Sequence, residues 1–210
     1  MNLKELLIFN NFSFKYKNTS EYIFENLSFV IFNSSINFVI GENGSGKTTL
    51  FKIIFNNFIS KNYFNNITIN TESVGFIWDF HNFYNKLTVY ENIKLYFELS
   101  NPNKQYNLDK NIELFFNFFG IEKKYLHKKI DELSFGYKQK ILIIRELVNF
   151  KELVLIDEPF LGLDFFSYTS FLKVIANFYD RITFLIFTQN PNVVTDLDKL
   201  VTVSYTHLTL

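Results

Sequence analysis

With 210 residues, the chain is long enough for one domain with its own core. Its 21 Lys and Arg balance 21 Asp and Glu, which leaves no basic field to hold a nucleic-acid backbone, and it has no cysteine for a disulfide framework or a thiolate metal site. No apolar run approaches the roughly 20 residues that cross a bilayer, and Met1-Asn2-Leu3-Lys4-Glu5 lacks the charged-then-apolar order of a secretory leader. The 28 Phe and 12 Tyr are spread through predicted core, helix and loop alike, so they read as compositional bias rather than as an aromatic surface.

The first third alternates as strands do. Leu7-Ile8-Phe9 and Phe12 to Tyr16 predict one strand region, and Leu27 to Phe32 another. After the turn Asn33-Ser34-Ser35, the apolar run Ile36 to Ile40 predicts a short buried strand. It leads straight into a glycine-rich loop, and Thr48 to Phe58 then carries apolar residues at helical spacing (Leu50, Ile53, Ile54, Phe58). From about Glu91 to Glu146 the pattern is helical. One helix has Ile93, Tyr96, Phe97 and Leu99 on a face and ends at Asn101-Pro102-Asn103. A second spans about Leu108 to Phe119 and stops at Gly120, and a third runs from near Tyr137 to Val148. Leu153 to Ile156 predicts a fully buried strand closed by Asp157. A helix over about Phe165 to Phe178 and a strand over Thr183 to Phe187 follow, in the alternation of a βαβ sheet.

Gly41-Glu42-Asn43-Gly44-Ser45-Gly46-Lys47-Thr48 has the G-x-x-x-x-G-K-[ST] spacing of a phosphate-binding loop between a strand and a helix. Glycines let the backbone turn so that successive N–H groups face phosphate oxygens, and the following helix adds the positive end of its dipole. Lys47 can then reach the β- and γ-phosphates, while the Thr48 hydroxyl can ligate Mg²⁺. Asp157 and Glu158 stand at the carboxyl end of a buried strand, the end where open α/β sheets bind ligands. There Asp157 can hold Mg²⁺, directly or through water, and Glu158 can orient or deprotonate an attacking water.

Over nearly its whole length the chain resembles the ATP-binding subunits of ABC transporters. The motifs are Tyr16 upstream of the loop, Gly41 through Thr49, Leu87-Thr88-Val89-Tyr90-Glu91-Asn92-Ile93, the signature-like Leu133-Ser134-Phe135-Gly136-Tyr137, and Gly162-Leu163-Asp164. That resemblance implies an α/β fold: a P-loop NTPase core with a mostly parallel sheet flanked by helices, an N-terminal antiparallel β subdomain, and an inserted helical subdomain. The core and β subdomain would take residues 1–90 and 150–203, and the helical subdomain 91–149. Residues 203–210 depart from the compositional bias and read as a candidate non-native tail, beyond which the native chain is expected to continue.

The resemblance further implies ATP and Mg²⁺ as ligands. Tyr16 would stack on adenine, residues 41–49 would cradle phosphate, and Ser134, Gly136 and Asp164 would act across an interface with a second ATPase subunit, like or unlike. It also implies a separate transmembrane permease, no nucleic acid, and a place on the cytoplasmic face of a membrane. Three departures stand out: Phe135 and Tyr137 within the signature, Asp79 where the family has a glutamine facing the metal, and Gln189 where it has a histidine. Gln189 can donate a hydrogen bond to a γ-phosphate but cannot carry charge. Slowed hydrolysis follows from the third. Two other readings compete with a transport motor: a soluble ATPase of the same family, and a catalytically weak subunit that lends Ser134 to an active one.

Overall fold

The computed structural model describes residues 3–61, 63–78, 83–100, 107–160, 162–200 and 205–209. In chain order the elements begin with β1 (Glu5–Phe14), β2 (Phe24–Phe32), β3 (Ile36–Ile40), α1 (Lys47–Ile59), β4 (Ile67–Ile69) and β5 (Val74–Ile77). The helical stretch follows as α2 (Val89–Ser100), α3 (Leu108–Phe118) and α4 (Phe135–Leu147). The chain then returns to the sheet with β6 (Leu153–Asp157), α5 (Phe165–Phe178), β7 (Thr183–Thr188), α6 (Asn192–Asp198) and β8 (Tyr205–Thr209).

Two sheets result. An antiparallel one has the order β2-β1-β4, and a parallel one the order β5-β6-β7-β3-β8. Strands β3, β5, β6 and β7 are mostly apolar because both faces are covered. Successive side chains of a strand point to opposite faces, and the packing follows that alternation. Val154, Ile156, Phe184 and Ile186 join the core beneath α2 to α5, whereas Leu153, Leu155, Leu185 and Phe187 join the core shared by α1 and the antiparallel sheet.

Several boundaries differ from the sequence reading. The first strand region is β1, which ends at Phe14 rather than Tyr16 and is irregular where Asn10 and Asn11 fall between Phe9 and Phe12. Asn11 has φ 48°, a left-handed conformation that Asn tolerates, where β1 carries one residue more than β2 between the pairs Phe9–Phe29 and Phe12–Leu27. On α2 the covered face is Val89, Asn92, Ile93 and Phe97, while Leu99 is exposed. Helix α4 starts at Phe135 rather than near Tyr137, because Ser134 is its N-cap. The short strands β4 and β5 and the seven-residue α6 carry too few residues to show a period. Residues 205–209 lie as a strand beside β3, with Ile36 opposite Tyr205 and Ile40 opposite Thr209.

Candidate functional site

Neighbouring parallel strands β6, β7 and β3 end on one edge of the sheet. Their carboxyl ends deliver Asp157 and Glu158, Thr188 and Gln189, and the loop after Ile40. Groups far apart in sequence meet there. Thr48 Oγ1 donates to Asp157 Oδ2 at 3.0 Å across 109 residues.

The glycine loop has a shape that only its own residues allow. Gly44 and Gly46 have φ of 87° and 102°, and a Cβ on Gly46 would lie 2.7 Å from Ile23 Cγ2 and 3.0 Å from Phe24 Cζ. Gly46 is also the N-cap of α1, and no side chain caps that helix. Its first N–H groups therefore face the loop without a side-chain acceptor, as an anion site requires. Lys47 is only 6% exposed, and its Nζ donates to the carbonyls of Gly41 at 2.8 Å and Glu42 at 3.0 Å. Ser45 N–H donates to Glu42 O at 3.2 Å and closes the turn around Asn43. Ser45 Oγ is buried and has no hydrogen-bond partner among the described residues.

Glu158 follows β6 with φ 45°, a conformation that costs a non-glycine residue about 1–3 kcal/mol and clusters at functional sites. Its N–H donates to Phe187 O at 2.9 Å. The carboxylate accepts from Gln189 N–H at 2.9 Å and Thr188 Oγ1 at 3.3 Å, and Lys47 Nζ lies 3.9 Å away. Burial pushes the Glu158 carboxyl above the ordinary glutamate range, against the opposing pull of the Gln189 N–H, the Lys47 ammonium and the Thr188 hydroxyl. Gln189 therefore reaches Glu158 through its backbone rather than its side chain, and Thr188 is a partner of Glu158 that the sequence reading missed. A threonine ending a buried strand was the only sign of it.

Tyr16 is half-exposed, sets its ring edge-on to Phe14 with centroids 5.3 Å apart, and places its hydroxyl 3.2 Å from Thr49 Oγ1. With residues 18–23, Gly44 and Ser45 it lines a cleft of about 560 Å³ beside the loop. The size and the aromatic wall suit a base stacked next to its phosphates.

Thr48 and Asp157 offer a hydroxyl and a carboxylate, the hard oxygen donors that Mg²⁺ takes. No group of three His, Cys, Asp or Glu among the described residues could hold a metal ion by itself. Asp79, the third metal residue expected from the sequence, lies outside the described residues.

The signature segment stands apart from the cradle. Ser134 Oγ accepts from Tyr137 N–H at 3.5 Å, and no hydrogen bond or ion pair among the described residues joins Ser134 or Gly136 to residues 41–49. Gly136 packs instead toward the segment after β6, where a Cβ would lie 3.3 Å from Gly162 O. The departures from the family pattern have local uses. Phe135 covers Gly162, whose φ is 79° and whose Cβ would overlap the ring. Tyr137 stacks on Tyr125 with centroids 4.4 Å apart, and Lys140 Nζ sits 5.0 Å above the Tyr137 ring. Asp164 caps α5 by accepting from Ser167 N–H and Oγ, both at 2.8 Å, bonds that hold its carboxyl below the usual aspartate range.

Comparison with known proteins points the same way. A family model described as "ABC transporter" matches residues 24–161. The zinc uptake system ATP-binding protein ZurA of Listeria monocytogenes is 30% identical, over 90% of this chain and 78% of its own length. The lipoprotein-releasing system ATP-binding protein LolD of Wigglesworthia glossinidia brevipalpis is 28% identical, over 95% of this chain and 94% of its own. Among solved structures, an ATP-binding subunit of an ABC transporter superposes with a TM-score of 0.78 at 22% identity, over 97% of this chain and 85% of that one. An ATP-binding cassette in a post-hydrolysis state with ADP and Pi superposes with a TM-score of 0.72 at 23% identity, over 91% of each chain.

Proposed function

The chain belongs to the ABC transporter family as an ATP-binding subunit, and from that premise we propose that two such subunits hydrolyse ATP between them and pass their closure to a separate membrane-spanning partner. The observation that supports hydrolysis best is the meeting of Lys47, Thr48, Asp157 and Glu158 at the ends of adjacent strands. Each has a chemical part. Lys47 Nζ exchanges the carbonyls of Gly41 and Glu42 for β- and γ-phosphate oxygens. Thr48 and Asp157 would hold Mg²⁺, which would supply charge neutralisation at the phosphates. Glu158 orients the attacking water and accepts its proton, and Tyr16 carries the adenine.

Ser134 and Gly136 lie at the N-terminus of α4, where the N–H groups and dipole suit the γ-phosphate of a nucleotide held by the other subunit. Asp164 is tied to the same helix by its ion pair with Lys140 at 3.4 Å. Gln189 in place of histidine leaves a neutral donor near the γ-phosphate and slows turnover. No helix among the described residues is long and apolar enough to cross a membrane. The spanning part is therefore assigned to the permease, with this subunit docked on its cytoplasmic face.

Two measurements test this reading. MgATP at about 100 times its dissociation constant adds about 2.7 kcal/mol, so the thermal midpoint is expected to rise by about 5–11 °C. Glu158→Gln is expected to lower turnover by about 10²–10⁴-fold and to trap an ATP-bound dimer. Equal turnover by parent and variant would instead make the chain a nucleotide-binding partner of an active subunit.

A further inference from the structure

Glu158 is held by the segment that follows β7, and the hydrogen bonds there have a defined direction. Asn190 N–H donates to Thr188 Oγ1 at 3.1 Å. A hydroxyl that receives a hydrogen bond has its own proton free to give, and the acceptor in reach is Glu158 Oε2 at 3.3 Å. Gln189 N–H takes the other carboxylate oxygen, Oε1, at 2.9 Å. The carboxylate is thus gripped at both oxygens by consecutive residues of one strand end. Each oxygen keeps a second acceptor direction for a water molecule. Thr188 is 1% exposed, so its hydroxyl does not exchange this partner for bulk water. The Gln189 side chain, by contrast, makes no hydrogen bond to Glu158.

We infer that Thr188 is a positioning residue for the hydrolytic step, its hydroxyl and the neighbouring Gln189 N–H together setting the plane of the Glu158 carboxylate. This rests on the reading of Glu158 as the group that handles the attacking water. The role comes from geometry: Glu158 leaves β6 with a left-handed backbone, so nothing in regular strand structure orients its side chain. The grip from β7 supplies that orientation. It acts on the chemical step rather than on nucleotide affinity, because its bonds go to the carboxylate and to residue 190 and none goes to residues 41–49.

The test uses the purified full chain, with turnover measured against ATP concentration. Thr188→Val keeps the branched shape of a fully buried strand residue and removes only the hydroxyl. Loss of one hydrogen bond to a charged group is expected to lower kcat by about 10-fold or more and to leave KM within about two-fold. Thr188→Ser is expected to restore kcat to within about three-fold of the parent, since the hydroxyl returns. Thr188→Ala is expected to show the same kcat loss as Thr188→Val and guards against a packing effect of the valine. By size exclusion, the ATP-bound dimer of Thr188→Val should outlast that of the parent by the factor that kcat has lost.

A double variant separates this inference from the reading beneath it. If Thr188 works through Glu158, adding Thr188→Val to Glu158→Gln costs nothing further. Multiplying losses, or a Thr188→Val turnover within about two-fold of the parent while Glu158→Gln is crippled, would overturn the inference and leave the reading of Glu158 standing. Unchanged turnover in Glu158→Gln alone would overturn that reading instead.

Discussion

The N-terminus of α1 and that of α5 are built in opposite ways. At α5 the capping residue Asp164 takes two 2.8 Å bonds from Ser167. Helices α2 and α3 are closed similarly: Thr88 and Glu91 exchange bonds in a capping box, and Asn107 accepts from Lys110 N–H at 3.1 Å. At α1 no side chain caps the helix at all, and at α4 Ser134 reaches its acceptor position only at 3.5 Å. A helix end closed by its own side chain has little left for an external anion, whereas one left open keeps its donors and dipole available. Among α1 to α5, α1 lacks a side-chain cap and α4 has the longest cap bond, and these two starts carry the segments that resemble the family's phosphate motifs. Helix α6 also lacks a side-chain cap, so an open start does not by itself mark a site.

The contrast can be broken at three places. Gly46→Ala forces a side chain into the left-handed turn and against Ile23 and Phe24. It should cost more than about 2 kcal/mol in urea unfolding and abolish MgATP stabilisation. Parent-like stability would mean that the loop relaxes easily. Asp164→Ala removes a short, charged cap and should cost about 1 kcal/mol, lowering the thermal midpoint by about 2–4 °C while ATP still binds the single subunit. Ser134→Ala sharpens the comparison most while moving stability least. Loss of a 3.5 Å bond should cost below about 0.5 kcal/mol, yet ATP-driven dimer formation should fall sharply. A stability loss as large as that of Asp164→Ala would make Ser134 an ordinary cap.

The cradle was legible because its chemistry is local. Gly41 to Thr48 lies within one turn of chain between a strand and a helix, so spacing alone places amides, ammonium and hydroxyl together. The helix over Phe165–Phe178 and the strand at Ile36–Ile40 were equally clear, since a 3.6-residue period or an unbroken apolar run marks each. The short strand Val74–Ile77 was not, because four residues around a glycine show no period and owe their conformation to pairing with β6. Likewise, the left-handed turns at Asn11 and Glu158 answer to neighbours across a sheet rather than along the chain.

Taken by itself, the amino-acid order determined the glycine-rich loop between strand and helix, the acidic pair after a buried strand, and the alternation of strands and helices. These depend on contacts between residues a few positions apart. Tertiary structure alone decided that Thr48 meets Asp157, that Thr188 and the Gln189 backbone grip Glu158, and that Phe135 covers Gly162. The physical reason is the strand order β6-β7-β3: parallel crossovers bring distant carboxyl ends to one edge, and no interval in the sequence records which strands lie side by side.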